Sequence, residues 1–149
     1  MPEFLHPLSR EEKVAVTGLS PAVYRAMIAQ RHAGYTSVTS VNLDTSSKFD
    51  IGSLLLKLDV ADLERLAASL ELTLQADKAA ASDMKKAEEL YKEAIKINPF
   101  DAVAAMSCGV VLAQQGDVKE GLKWLERAHD LASSNARITK NLAAVKSYL

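Results

Sequence analysis

The sequence predicts an all-α fold of repeated helical hairpins behind an amino-terminal helical extension, and three observations predict it. Ala and Leu abound while aromatic residues make up only 5% of the chain, which favours helix packing over a sheet. From Asp59 onward apolar residues recur at three- and four-residue steps, the spacing that places them on one face of a helix. Asp and Asn stand immediately before these stretches, where a side-chain oxygen can accept hydrogen bonds from the free amides of a first turn. At 149 residues the chain suits one domain with a sufficient core.

The elements follow in order. Residues 1–34 read as a helical extension of two short helices. Ser9 with Glu12 makes a capping box, Ser20-Pro21 supplies an N-cap with proline at N1, and Gly18 and Gly34 fall where these helices end. Residues 35–58 read as a linker: the segment is rich in Ser and Thr, with Val38, Val41 and Leu43 irregularly spaced, and a short strand there would lack an obvious partner. Asp59 caps a long helix running to about Ala80, with Leu63, Leu66, Leu70 and Leu74 as its stripe. A second helix runs from Met84 to Ile97, with Ala87, Leu90, Tyr91, Ala94 and Ile95 on one face, and Asn98-Pro99 stops it. Asp101 opens a helix to about Gln115, Gly116 breaks it, and Asp117 with Glu120 caps the next. Ser133-Ser134-Asn135 introduces a last helix striped by Ile138, Leu142, Val145 and Leu149.

Composition excludes several functions. A net charge of -1 with interspersed signs offers no footprint for nucleic acid or anionic lipid. No apolar run approaches the roughly 20 residues needed to span a bilayer, and Met1 to Pro7 does not resemble a secretory signal, so a cytoplasmic protein without membrane insertion is expected. His6, His32 and His129 pair with no other ligand at metal-binding spacing, and no nucleotide or nucleophile-elbow motif occurs. No catalytic residue, metal or cofactor is therefore expected. The single Cys108 lies in an apolar helical run and reads as a small core hydrophobe, Trp124 reads as core or inter-repeat packing, and His129 with Asp130 reads as a solvated surface pair. Lys85-Lys86, Glu88-Glu89, Lys92-Glu93 and Lys96 form opposite-charge pairs at helical spacing and read as a solvated face.

Self-comparison finds its best register at 34 residues: Asp83 falls on Asp117, Ala87 on Gly121, Tyr91 on Leu125, Ala94 on Ala128 and Asp101 on Asn135. Ala87, Tyr91, Ala94 and Pro99 follow the small, aromatic, small, proline pattern of a tetratricopeptide (TPR) second helix. Gly109, Leu112, Gly116-Asp117, Gly121, Leu125 and Ala128 carry the next match. Residues 59–149 thus resemble a short TPR-type α-solenoid, with repeats at about 68–101 and 102–135 and a final helix at 136–149. Small residues at the matched positions let helix backbones approach closely. Departures from the pattern are Gln75 in place of a glycine, a first helix break without glycine at Ala80-Ala81-Ser82, and Ser133 in place of the closing proline.

The resemblance implies a non-enzymatic interaction module or adaptor that binds a partner's peptide or helix in a concave groove. By register the groove holds Ser69, Leu72, Ala76 and Ala79, then Val103, Met106, Val110 and Ala113, then Arg137, Lys140 and Ala144, mostly apolar with a basic end. Leu72, Ala76 and Ser107 occupy positions where chaperone-tail-binding TPR domains carry Lys and Asn, which disfavours a carboxylate clamp. Two alternatives stand beside this. The chain is similar in size and layout to small TPR chaperones of bacterial type III secretion. It could also be a homodimeric scaffold joined through an apolar end face at Ile138, Leu142 and Val145. Val103, Met106 and Val110 could instead be covered by another part of the chain, such as the segment before Asp59.

Overall fold

The computed structural model describes residues 4–34 and 50–149, and these residues form eight α-helices and no strand. The helices are α1 Arg10–Ala15, α2 Pro21–His32, α3 Ile51–Leu56, α4 Val60–Ala79, α5 Met84–Ile97, α6 Ala102–Gln114, α7 Val118–Leu131 and α8 Ala136–Lys146. No helix among the described residues is long and apolar enough to cross a membrane.

Caps account for where the helices begin. Ser9 and Glu12 form the expected capping box, and Ser20 accepts from the Val23 amide ahead of Pro21. Asp59, Asp83, Asp101, Asp117 and Asn135 each accept from a first-turn amide three residues on. Gly116, at φ 98°, ends α6: its own amide reaches Ala113 O and the Asp117 amide reaches Leu112 O, the paired bonds of a left-handed cap. The break after α4 has no such residue. There the Ala80 amide bonds Ala76 O, and the Ser82 and Asp83 amides both bond Ala79 O, so the missing glycine costs no hydrogen bond.

Two departures from expectation concern the amino-terminal half. The stretch read as linker contains α3, because Asp50 caps Ile51–Leu56 by accepting from the Ser53 amide, while Ile51, Leu54 and Leu55 are buried; residues 35–49, where the rest of that linker falls, lie outside the described residues. Six residues give too short a periodic signal to separate a helix from irregular chain. Along α4, Leu63 and Leu66 are buried and Leu70 half-buried, but Leu74 is 44% exposed. The buried face of α4 passes instead through Ser69, Thr73 and Ala76.

The helix α4 spans two apolar cores. Its first half joins Leu5, Leu8, Val16, Tyr24, Met27, Ile28 and the α3 residues in one cluster, and Ala76 joins α5 to α8 in the other. Side chains bonded to backbone hold the first. The Tyr24 hydroxyl donates to Val16 O at 2.5 Å and accepts from the Leu19 amide at 3.2 Å. Arg31 donates to Leu58 O, to Leu55 O at 3.0 Å and to Leu56 O at 3.3 Å, placing a cation at the carbonyl end of α3. Asp62 accepts from the Leu5 amide at 3.1 Å, and Leu5 takes the left-handed conformation, φ 59°, fully buried.

In the second core consecutive helices from α4 to α8 pack on one another, and α8 also touches α6. The closest approach is between α6 and α7, where Gly109 faces Gly121. A Cβ on Gly109 would lie 2.6 Å from Gly121 O, and one on Gly121 2.5 Å from Gly109 O. Only hydrogen side chains allow the two backbones to meet there.

Further corrections concern charge and packing. Glu88, read as part of a solvated face, is buried, with 7% of its side chain exposed. Burial pushes its carboxyl up, but bonds from Lys92 at 2.8 Å and Gln115 at 3.0 Å outweigh it and hold the group below the ordinary range. Asp130 pairs with Arg10 at 2.6 Å, joining α7 to α1. Ile138, Leu142 and Val145 are buried against the neighbouring helices, so the apolar end face invoked for self-association is used inside the fold. Cys108 is fully buried, as read, and burial pushes its thiol up to about 12.

Candidate binding surface

A cavity of about 280 Å³ opens where the end of α4, the middle of α5, the length of α6 and the start of α8 come together. Met106, Val110 and Val111 from α6 supply its apolar wall, and Ala80 closes it from the end of α4. Asp77, Tyr91, Ser107, Gln114 and Asn141 add hydrogen-bonding groups, and Arg137 stands at the rim, exposed to solvent.

Each polar group is placed by its element. Tyr91 points inward from the buried face of α5, and its hydroxyl donates to the Asp77 carboxylate on α4. Burial first, then the hydrogen bond to Asp77 and after it the Asp77 charge, push the phenol well above its ordinary value, so it remains a donor at all physiological pH. The Asn141 amide nitrogen donates to Met106 Sδ at 3.2 Å, a weak acceptor that nonetheless orients the amide across the apolar wall. Arg137 lies one helical turn before Asn141 on the same face of α8 and enters no ion pair among the described residues. The surface therefore offers an apolar wall, fixed hydrogen-bonding groups and one cation, the mixture found in sites that orient a ligand as well as bury it.

Of the residues placed in the groove by register, Met106, Val110 and Arg137 meet in this cavity. The others do not line it. Ala76 is fully buried in the core, and Ser69 is buried with its hydroxyl donating to Ala94 O at 3.0 Å. Leu72 is half-buried on α4, and Ala79 belongs to a separate depression beside Lys78 and Lys86. Ala113 packs on α7, since a Cβ at Gly121 would sit 3.0 Å from its amide nitrogen. Val103 is 43% exposed and Lys140 and Ala144 are exposed, all three outside the cavity. Met106 is covered, at 2% exposure, by Asn141 of α8 among its contacts; none of the described residues before Asp59 lines the cavity, and residues 35–49 lie outside the described residues.

Sequence reasoning missed Asp77, Ala80, Tyr91, Val111, Gln114 and Asn141, and singled out Ser107 only as a position where a carboxylate clamp is missing. Two of these carried a usable signal: Gln114 follows Val110 by four residues and Asn141 follows Arg137 by four, so each shares a helix face with a residue already chosen. Tyr91 was read as packing, which its buried ring bears out, but its hydroxyl faces the cavity.

A second surface lies along α5 and α7, where a cleft of about 350 Å³ is lined by Lys92, Ile95, Lys96, Pro99, Trp124 and Arg127. Trp124, read as core or inter-repeat packing, packs partly on the second core and lies partly open on this cleft. No protein-family model matches the chain, and neither the curated proteins nor the solved structures include a match to it.

Proposed function

We propose that the chain is a TPR-like, non-enzymatic binding module whose cavity between α4, α5, α6 and α8 seats a segment of a partner protein. The observation that carries this reading is that residues chosen by a 34-residue register, Met106 and Val110 from one repeat and Arg137 from the next, converge on one cavity. The glycine contact between α6 and α7 supports the repeat reading, because it falls at two of the small-residue positions of the pattern. A partner's apolar side chain rests on the half-buried Val110, with the buried Met106 and Val111 forming the wall around it, its backbone or polar groups meet Asn141, Ser107 and Tyr91, and an acidic group or terminal carboxylate meets Arg137. An adaptor role follows, in which specificity comes from the polar wall and affinity from the apolar one.

The test uses the full chain. Peptides selected on it from a random-peptide display library are titrated against the wild type and against Arg137→Glu and Val110→Glu, with folding checked by circular dichroism. The exposed Arg137 can be reversed in charge without entering the core. Each variant weakens the selected peptides by about tenfold or more, the loss associated with a residue at the centre of an interface. A selection in which no peptide is weakened by either folded variant overturns the proposal.

A further inference from the structure

We propose that the cleft between α5 and α7 is a second docking site, for an acidic peptide segment of a partner protein carrying one apolar anchor. Ile95, Pro99 and the open part of Trp124 form its floor, and Lys92, Lys96 and Arg127 form its rim. The periodicity of each helix builds this arrangement. Lys92, Ile95 and Lys96 share one face of α5, and Trp124 and Arg127 lie a turn apart on α7.

Charge complementarity decides the occupant. Among the described residues no acidic side chain lines the cleft. Lys92 is engaged by the buried Glu88 at 2.8 Å, whereas Lys96 and Arg127 enter no ion pair among the described residues. The Arg127 guanidinium lies 5.3 Å from the centre of the Trp124 ring, which keeps both side chains at the mouth and leaves the cation free to meet a carboxylate. A chain with a net charge of -1 overall thus concentrates uncompensated positive charge around its only tryptophan. Tryptophan and arginine are both enriched among the few residues that dominate binding energy at protein interfaces. A volume of about 350 Å³ lies at the low end for ligand sites and admits an anchor side chain with its flanking backbone.

The experiment selects peptides from a random display library on the full chain carrying Arg137→Glu, so that binding at the cavity of α4, α5, α6 and α8 is separated from binding here. Selected peptides are expected to be rich in Asp and Glu around one Leu, Ile or Phe. They should lose affinity by about tenfold or more on the added pair Lys96→Glu and Arg127→Glu, with the fold intact, and again as salt rises from about 50 to about 300 mM. Binding should also shift the emission of Trp124, the sole tryptophan. Selection without acidic enrichment, binding unchanged by the charge reversals, or acidic peptides whose anchor can become serine without loss would each overturn the proposal.

Discussion

The two cores that share α4 are built from different materials. The amino-terminal one is filled by large side chains, among them Leu5, Tyr24, Met27, Leu55, Leu58, Leu63 and Leu66, and its short helices are fastened by side chains that reach backbone atoms. The carboxy-terminal one is rich in small residues, Ala76, Ala87, Ala104, Ala105, Cys108 and Ala128, with two glycines in backbone contact. Small residues on long regular helices let neighbours pack backbone to backbone, so order comes from repetition of a local pattern. Short helices cannot sustain themselves and depend on a few distant bonds and bulky anchors. Mutations should accordingly fail by overpacking in one core and by cavities or lost fastenings in the other.

The largest effect is expected where the carboxy-terminal core is tightest. Gly109→Ala or Gly121→Ala adds a methyl group against backbone oxygen and should cost about 3 kcal/mol or more, overriding the roughly 1 kcal/mol that alanine gains from helix propensity. Urea midpoints measure it, and a variant as stable as the wild type would remove the contrast between the cores. In the amino-terminal core the opposite change does the damage: Leu63→Ala should cost about 3 kcal/mol, whereas Leu74→Ala, on the same helix but exposed, should stay within about 0.5 kcal/mol. Equal losses at the two leucines would mean that α4 presents a different face to its neighbours.

A smaller effect tests the fastenings. Arg31→Met keeps the aliphatic stem and removes the bonds to the carbonyls of Leu55, Leu56 and Leu58, for a loss of about 2 kcal/mol. Hydrogen exchange should localise that loss to α3, and uniform protection in α3 would contradict the assignment. The smallest effect is at Asp101, the buried cap of α6, whose carboxyl is pushed up by burial against the pull of its backbone bonds. The folded state holds that proton more tightly than the unfolded chain, so this residue's contribution falls as pH rises from the ordinary carboxylate range through the raised value. Asp101→Asn keeps a capping oxygen and should flatten that slope, while Asp101→Ala flattens it too and should be about 1 kcal/mol less stable than the Asn variant for loss of the cap. An Asn variant as destabilised as the Ala variant at neutral pH would show that the cap needs the charge.

The candidate cavity was partly legible. Met106, Val110 and Arg137 followed from register, and Gln114 and Asn141 were within reach of the same helical spacing. Ala113 and Ala76 were misplaced because a register fixes a helix face only to within the width of one side chain, and the close contact of α6 with α7 turns Ala113 into it. Glu88 shows the same limit for charge: its pattern matches the exposed acids beside it, and only Gln115 from the next helix reveals that it is enclosed.

By itself the sequence determined where helices α4 to α8 start and stop, because capping oxygens, Gly116 and Pro99 act on amides and carbonyls a few residues away. Tertiary structure alone decided that Ile51–Leu56 is a helix, which side of α4 is covered, that Trp124 stays partly open and which polar groups meet in the cavity. Those outcomes depend on partners outside the element concerned, such as Arg31 and Leu58, paired 27 residues apart, and no local pattern records which distant surface a helix face will meet.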